Sequence, residues 1–195
     1  MSMPNRAFQL VVIGASAGGV RALEGILRGL PVDFAAAMLI VLHLPADRPS
    51  GLAALMGRQC RLPLAEALDK QPIQPATVTL APPNYHLLVE PERTLALSVD
   101  EPVLFSRPAI DPLFESAASV YHERLLAVLL TGASRDGSAG AAAVRSHGGT
   151  LWVQDPRTAE VAAMPENALR RAGADAVLSL EEIGTRLAAM RHLEQ

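Results

Sequence analysis

A serine in a glycine-rich turn near the start of the chain could act as a nucleophile. Ser16 lies in the motif GASAG of residues 14–18, which fits the pattern G-x-S-x-G and directly follows the apolar run Leu10–Ile13. In hydrolases with this pattern, a sharp turn from strand to helix projects the serine hydroxyl above the edge of a sheet. The backbone N–H of Ala17, at the head of the next helix, could then donate to a developing oxyanion.

The same glycines allow a second interpretation, a dinucleotide-binding turn. Gly14 and Gly19 fit the outer glycines of G-x-G-x-x-G, with Ser16 in place of the middle glycine. A side chain at the middle position would crowd a pyrophosphate, and such a site also needs an acidic residue near the end of the second strand. The second predicted strand leads into His43 instead, so the pattern disfavours a nucleotide site.

His43 is the candidate general base. It follows the predicted strand Met38–Leu42, and ligands in open α/β sheets bind at the carboxyl ends of the strands. An imidazole with a pKa near neutrality can take the serine proton and return it to a leaving group. The other four histidines are weaker candidates, because none of them ends a predicted strand beside Ser16: His86, His122, His147 and His192.

Asp136 is the candidate carboxylate that orients the base. The predicted strand Leu125–Thr131 opens into the small-residue loop GASRDG of residues 132–137, which leads to a helix. An aspartate just before a helix is often only a cap. However, Ser16, His43 and Asp136 all project from the same predicted edge, and a carboxylate on the far imidazole nitrogen would fix the tautomer and stabilise the imidazolium.

Alternating strand and helix patterns predict an α/β fold. We expect a doubly wound, mostly parallel sheet with helices on both faces and a local antiparallel excursion between Val78 and Val99. The predicted strands are Phe8–Ile13, Met38–Leu42, Val78–Ala81, His86–Glu90, Leu95–Val99, Leu125–Thr131, Leu151–Gln154 and Ala176–Leu178. The predicted helices are Gly19–Gly29, Gly51–Arg61, Asp111–Tyr121, Ala139–Ser146, Pro165–Ala172 and Leu180–Arg191.

Composition excludes several classes of function. The formal net charge is −3 and the basic residues form no run, so nucleic acid is not an expected partner. The apolar start of the chain is too short for a membrane span, and we expect no membrane insertion. One cysteine excludes an intramolecular disulfide and indicates a reducing cytoplasm. No ligand spacing suggests a metal site, and we expect no cofactor.

Six segments, in order, resemble the catalytic domain of bacterial chemotaxis protein-glutamate methylesterases, the CheB type. The resemblance runs from about Val11 to about Leu180. The segments are VVIGASAGG, IVLHLP, APPNYHLLV, SRPAIDPLFESAA, VLLTGASRDGSAG and QDPRTAEVAAMPENAL.

The resemblance implies a function and a role for each candidate. Ser16, His43 and Asp136 match the family's catalytic serine, histidine and aspartate, and Met164-Pro165 resembles a segment close to the site. The family hydrolyses γ-glutamyl methyl esters on chemoreceptors, and some members deamidate receptor glutamines. The expected partners are therefore the methylated signalling helices of chemoreceptors, or a related methylated protein.

Two positions depart from the family pattern beside the candidate site. Ala17 stands where the family commonly has Thr, and Ala133 replaces its usual Met. The backbone N–H groups of both alanines stay available as oxyanion donors. We expect residues 1–195 to form a single catalytic domain without the family's phosphoacceptor receiver domain, open or controlled by a separate regulatory protein. The alternative is a catalytically silent interaction module of the same fold.

Overall fold

The fold is built on a parallel sheet of seven strands, in a computed structural model that describes residues 8–43 and 51–191. Every pairing in this sheet is parallel, and the strand order is β3-β4-β2-β1-β7-β8-β9. The strands are β1 Leu10–Ala15, β2 Ala37–Leu42, β3 Leu64–Glu66, β4 Val78–Leu80, β7 Leu125–Leu129, β8 Thr150–Gln154 and β9 Ala176–Leu178.

Helices cover both faces of the sheet, as the sequence predicts. Side chains of β1 alternate between two buried clusters, Leu10 and Val12 in one, Val11 and Ile13 in the other, so both faces of the strand are apolar. Helices α1 Gly19–Gly29, α2 Leu52–Gly57 and α6 Leu180–Ala188 contribute to the cluster of Val11. Helices α3 Ile110–Tyr121, α4 Ser138–Ser146 and α5 Ala163–Ala172 contribute to the cluster of Leu10.

A separate hairpin of two strands interrupts the parallel alternation. Strands β5 His86–Val89 and β6 Leu95–Ser98 pair antiparallel, which confirms the predicted excursion but places Val78–Leu80 outside it, in the main sheet. Sequence analysis missed β3 at the sheet edge, which has only three residues, none of them buried. Helix α2 is shorter than predicted and ends at Gly57.

The order of the strands brings three carboxyl ends together. The chain leaves β1 for β2 on one side and returns to β7 on the other side, so β1 lies at the switch point where α/β sheets bind ligands. None of the helices within residues 8–43 and 51–191 is long and apolar enough to cross a membrane.

Candidate active site

Ser16 lies at the carboxyl end of the central strand β1, in a turn held by backbone hydrogen bonds. Its N–H donates to the carbonyl of Thr131 (3.0 Å), and its carbonyl accepts from the N–H of Gly19 (2.8 Å). Gly18 caps helix α1 with a φ of 78°, a conformation that disfavours side chains. Gly14 also has to lack a side chain, because a Cβ there would lie 2.5 Å from Ile110 of α3.

His43 follows the neighbouring strand β2 and lies beside the serine turn. Ala15 pairs with Leu42, and the N–H of His43 donates to the carbonyl of Ala15 (3.1 Å). The ring nitrogen Nε2 lies 2.7 Å from Oδ2 of Asp136. Nδ1 is therefore the ring nitrogen left for a proton transfer with Ser16. The Ser16 hydroxyl makes no hydrogen bond to any residue in the described ranges. Catalytic hydrogen bonds are often long or unformed before substrate binds.

Asp136 is fully buried, and several donors surround its carboxylate. Besides the contact with His43, its oxygens accept hydrogen bonds from the N–H groups of Ile110 (2.6 Å), Asp111 (3.0 Å) and Gly137 (2.9 Å). Ile110 and Asp111 form the first turn of α3, whose N-terminus has no cap from its own side chains. Asp136 thus caps this helix from another part of the chain, where a negative charge also meets the positive end of the helix dipole.

These contacts keep Asp136 ionised. Burial alone would raise its pKa, but the hydrogen bonds from His43, Ile110 and Asp111 outweigh burial and hold the pKa of Asp136 below its usual range. The neighbouring Asp111 behaves in the opposite way. Burial and the charges of Asp136 and Glu115 raise the pKa of Asp111 to about 6, although the N–H of Gly140 favours its ionised form.

A buried polar network supports the serine turn from below. The Gln154 side-chain oxygen accepts from the N–H of Thr131 (2.8 Å). The Thr131 hydroxyl donates to the carbonyl of Ala17 (2.9 Å) and accepts from the N–H of Val161 (2.9 Å). Sequence analysis missed both roles. The available signal was that Gln154 and Thr131 each end an apolar predicted strand. Polar groups buried at such positions need hydrogen-bond partners.

The two expected oxyanion donors are the N–H groups of Ala17 and Ala133. Neither makes a hydrogen bond within the described residues. The Ser16 carbonyl points to Gly19, and because a trans peptide is planar, the N–H of Ala17 points the opposite way. The N–H of Gly132 donates to the carbonyl of Val161. Met164 lies behind this loop, since a Cβ on Gly132 would lie 2.7 Å from it.

The other histidines lie elsewhere or have structural roles. His86 is buried, accepting from the N–H of Ala109 (3.2 Å) at Nδ1 and lying 3.1 Å from the Glu101 carbonyl at Nε2. His122 and His147 stack at 5.9 Å, and both side chains are exposed. His192 lies outside the described residues, as do Leu44 and Pro45 of the segment IVLHLP. Within the described ranges, no group of three His, Cys, Asp or Glu could hold a metal ion.

Comparison with protein families gives this arrangement a context. The family model described as CheB methylesterase matches residues 11–187. The chain belongs to the CheB methylesterase family. The matched range includes all three residues of the predicted triad.

Individual relatives agree with the family. This CheB methylesterase is 44% identical over 176 residues to a Leptospira interrogans protein named "Putative protein-glutamate methylesterase/protein-glutamine glutaminase", covering 90% of this chain and 91% of the relative. A Pseudomonas aeruginosa protein-glutamate methylesterase/protein-glutamine glutaminase is 34% identical over 182 residues, covering 93% of this chain and 50% of the relative.

A solved structure supports the fold. The catalytic domain of the Thermotoga maritima CheB methylesterase superposes with a TM-score of 0.88 at 33% identity, covering 93% of this chain and 97% of that chain. The α/β architecture predicted from the strand and helix pattern is thereby confirmed.

Proposed function

We propose that Ser16, His43 and Asp136 are the catalytic triad with which this CheB methylesterase hydrolyses γ-glutamyl methyl esters on proteins. The observation that carries the proposal is the 2.7 Å contact between His43 and the buried Asp136, beside Ser16 at the carboxyl edge of the sheet. A histidine held by an ionised carboxylate has a fixed tautomer and can accept a proton from a neighbouring hydroxyl.

The first half of the reaction forms an acyl-enzyme. Ser16 Oγ attacks the γ-carbonyl carbon while Nδ1 of His43 takes the hydroxyl proton. The resulting oxyanion accepts hydrogen bonds from the N–H groups of Ala17 and Ala133. The carbon–oxygen bond to the methoxy group then breaks, His43 returns its proton to that oxygen, and methanol leaves. Asp136 stays ionised and stabilises the imidazolium.

The second half releases glutamate. A water molecule attacks the Ser16 ester while His43 takes one of its protons, and the proton returns to Ser16 Oγ as the acyl bond breaks. The same acyl-enzyme forms from glutamine when His43 protonates the amide nitrogen and ammonia leaves, in line with the double names of the relatives. We assign the substrate to the methylated signalling helices of chemoreceptors, or a related methylated protein, in the cytoplasm, with a separate protein as regulator.

The test is methanol release from methylated receptor. The substitution Ser16→Ala should reduce release by at least about 10³-fold because the nucleophile is lost, and the melting temperature should stay unchanged. Ser146→Ala, at an exposed serine at the end of α4, is the matched control and should keep full activity. Normal release from Ser16→Ala would contradict the triad. A wild-type chain that releases no methanol and resists a fluorophosphonate probe would instead be a silent interaction module.

A further inference from the structure

We propose that His86 is a positioning residue for the candidate triad, which it reaches through the first turn of α3. The inference rests on the proposed function, because it concerns how the carboxylate of Asp136 is held in place. His86 is buried and begins strand β5, outside the parallel sheet that carries the triad. It takes part in no step of the proposed reaction. Its effect on catalysis comes from a continuous series of contacts that ends at His43.

The His86 imidazole is held at both of its nitrogens. Nδ1 accepts a hydrogen bond from the N–H of Ala109 (3.2 Å), and Nε2 lies 3.1 Å from the carbonyl oxygen of Glu101. A neutral imidazole accepts at one nitrogen and donates at the other. The proton therefore lies on Nε2, which donates to Glu101, and Nδ1 is the acceptor for Ala109. An apolar side chain of the same size could satisfy neither backbone group.

Further hydrogen bonds fix the position of His86 itself. In the hairpin it pairs with Ser98 of β6. The N–H of Asn84, in the turn before β5, donates to the carbonyl of Arg107 (3.2 Å), in the segment before α3. The start of the hairpin and the segment that leads into α3 are thus joined at two points. His86 therefore determines where the N–H of Ala109 lies.

The beginning of α3 depends on side chains from other segments. The first N–H groups of a helix have no partner within it, and the N-cap Ala109 offers no side-chain acceptor. His86 accepts from the N–H of Ala109, while Asp136 accepts from the N–H groups of Ile110 and Asp111. Three successive donors are shared between His86 and Asp136, so these two side chains orient the same turn of backbone.

One oxygen of Asp136 connects this turn to His43. Oδ2 accepts from the N–H of Ile110 (2.6 Å) and lies 2.7 Å from Nε2 of His43. The N–H groups of Ala109 and Ile110 belong to consecutive planar peptides, which share only the Cα of Ala109. Fixing the first peptide therefore restricts the direction of the second N–H. A change at His86 moves the donor that holds Oδ2, and with it the carboxylate that orients His43.

The expected effect is smaller than that of removing the carboxylate. Displacing a reacting group by about 1 Å can cost about 100-fold in rate. When the contact of His86 with Ala109 is lost, Asp136 keeps the N–H groups of Asp111 and Gly137 as donors. The displacement of the carboxylate is therefore partial. Turnover should fall, while substrate binding, which involves other groups, should not change.

Two substitutions separate the contact with Ala109 from the general need for a polar group at this buried position. His86→Asn places an amide oxygen where the imidazole has Nδ1, so the acceptor for Ala109 stays and the donor to Glu101 is lost. His86→Gln places its amide where the imidazole has Nε2, so the donor stays and the acceptor is lost. Each variant leaves one backbone group without its partner, and both melting temperatures should fall by similar amounts.

Methanol release from methylated receptor gives kcat and KM for both variants. His86→Gln should lower kcat about tenfold and leave KM unchanged, because the orientation of His43 is disturbed. His86→Asn should keep a kcat close to the wild-type value. The NMR signal of the proton between His43 and Asp136 is a second readout of the same charge-assisted hydrogen bond. It should be broadened or lost in His86→Gln and kept in His86→Asn.

Ser116→Ala is the matched control. The Ser116 hydroxyl accepts from the N–H of Val89 (3.1 Å), which joins the same hairpin to the same helix. This contact lies further along α3 than the turn that holds Asp136. Its loss should therefore leave kcat and the NMR signal unchanged.

Normal kcat in His86→Gln would overturn the proposal, and so would equal losses in the two His86 variants or a loss of the same size in Ser116→Ala. A Gln variant that does not fold would show that the contact with Ala109 supports the whole fold, which would also overturn a positioning role. Wild-type protein that releases no methanol would refute the proposed function instead. The NMR signal would then still report whether His86 positions Asp136.

Discussion

The aspartate side and the serine side of the candidate site are held in different ways. Asp136 is buried, ionised and surrounded by donors from His43, Ile110, Asp111 and Gly137. The Ser16 hydroxyl has no partner among the described residues, and only its backbone is fixed. Charge-assisted hydrogen bonds are roughly twice as strong as neutral ones. The Asp136 side chain is therefore held more strongly than the serine turn, which has only neutral hydrogen bonds.

The difference separates orientation from reactivity. In the proposed mechanism the carboxylate of Asp136 holds the imidazole in one tautomer throughout the reaction, and strong contacts serve that purpose. The proposed nucleophile, Ser16, combines a free hydroxyl with a backbone held by hydrogen bonds, so the hydroxyl can turn toward a carbonyl carbon. Substitutions on the two sides should therefore have different consequences.

The largest effect is expected on the aspartate side, from Asp136→Asn. An amide cannot stabilise the imidazolium and favours the wrong tautomer, so kcat/KM should fall by roughly 10³–10⁴-fold. Helix α3 also loses its charged acceptor, and the free energy of unfolding should decrease by about 2 kcal/mol. Ester hydrolysis and urea denaturation measure the two effects. Asp33→Asn, at an exposed carboxylate paired with Arg191, serves as control, and a loss in the first variant below tenfold would contradict the assigned role.

A smaller effect is expected on the serine side, from Gln154→Leu. Removing the acceptor for the Thr131 N–H lets the serine turn shift, and kcat should fall by about 10- to 100-fold while KM changes little. The pH profile should keep its shape because the contact of His43 with Asp136 is intact. Thr131→Val should reproduce the loss, and Thr131→Ser should restore activity because the hydroxyl that bonds Ala17 remains. Equal losses in both Thr131 variants would argue for packing rather than positioning.

The smallest effect on catalysis is expected from Asp111→Asn, whose consequence is a change in stability. The pKa of Asp111 is raised to about 6, while that of an unfolded aspartate is about 3.9. The folded chain therefore binds more protons between these values, and this group lowers stability as pH rises from about 4 to 6. Asp136 acts with the opposite sign, since its lowered pKa stabilises the fold above the unfolded pKa and this contribution is lost in acid.

The advantage of Asp111→Asn over wild type should accordingly be absent near pH 4 and grow to at most about 3 kcal/mol at pH 7. Urea denaturation at several pH values measures it. A constant difference between the two chains across this range would show that Asp111 ionises as freely in the fold as in the unfolded chain.

Most of the fold could be predicted because its strands are continuous apolar runs. Strands such as Ala176–Leu178 match their predicted bounds, and α1 begins and ends as predicted. The edge strand Leu64–Glu66 was not predicted, because its half-exposed residues do not form a continuous apolar run. For the site, the G-x-S-x-G pattern selected Ser16, and the rule that ligands bind at the carboxyl ends of strands selected His43. Their catalytic roles, and that of Asp136, stay predictions.

The contacts that define the aspartate side could not be predicted in the same way. The donors from Ile110 and Asp111 are backbone N–H groups, which almost every residue type has, so the sequence does not reveal them. They reach Asp136 because Gly14 lets α3 approach β1, which is a relation between distant segments. Gln154 likewise acts across β7 and β8 through a neutral amide. Local patterns therefore identify the reacting groups, whereas the groups that hold them depend on tertiary packing.

The central position of β1 has a consequence for how this protein becomes active during folding. The contact between His43 and Asp136 spans 93 positions and forms across a strand that both halves of the sheet share. Closing a loop of this length costs chain entropy, and contacts between positions so far apart in sequence are typical of slower folding. A nascent chain that has not yet delivered β7 and the loop after it contains Ser16 and His43 but lacks Asp136, so under the proposed mechanism its triad is incomplete until β7 has joined β1.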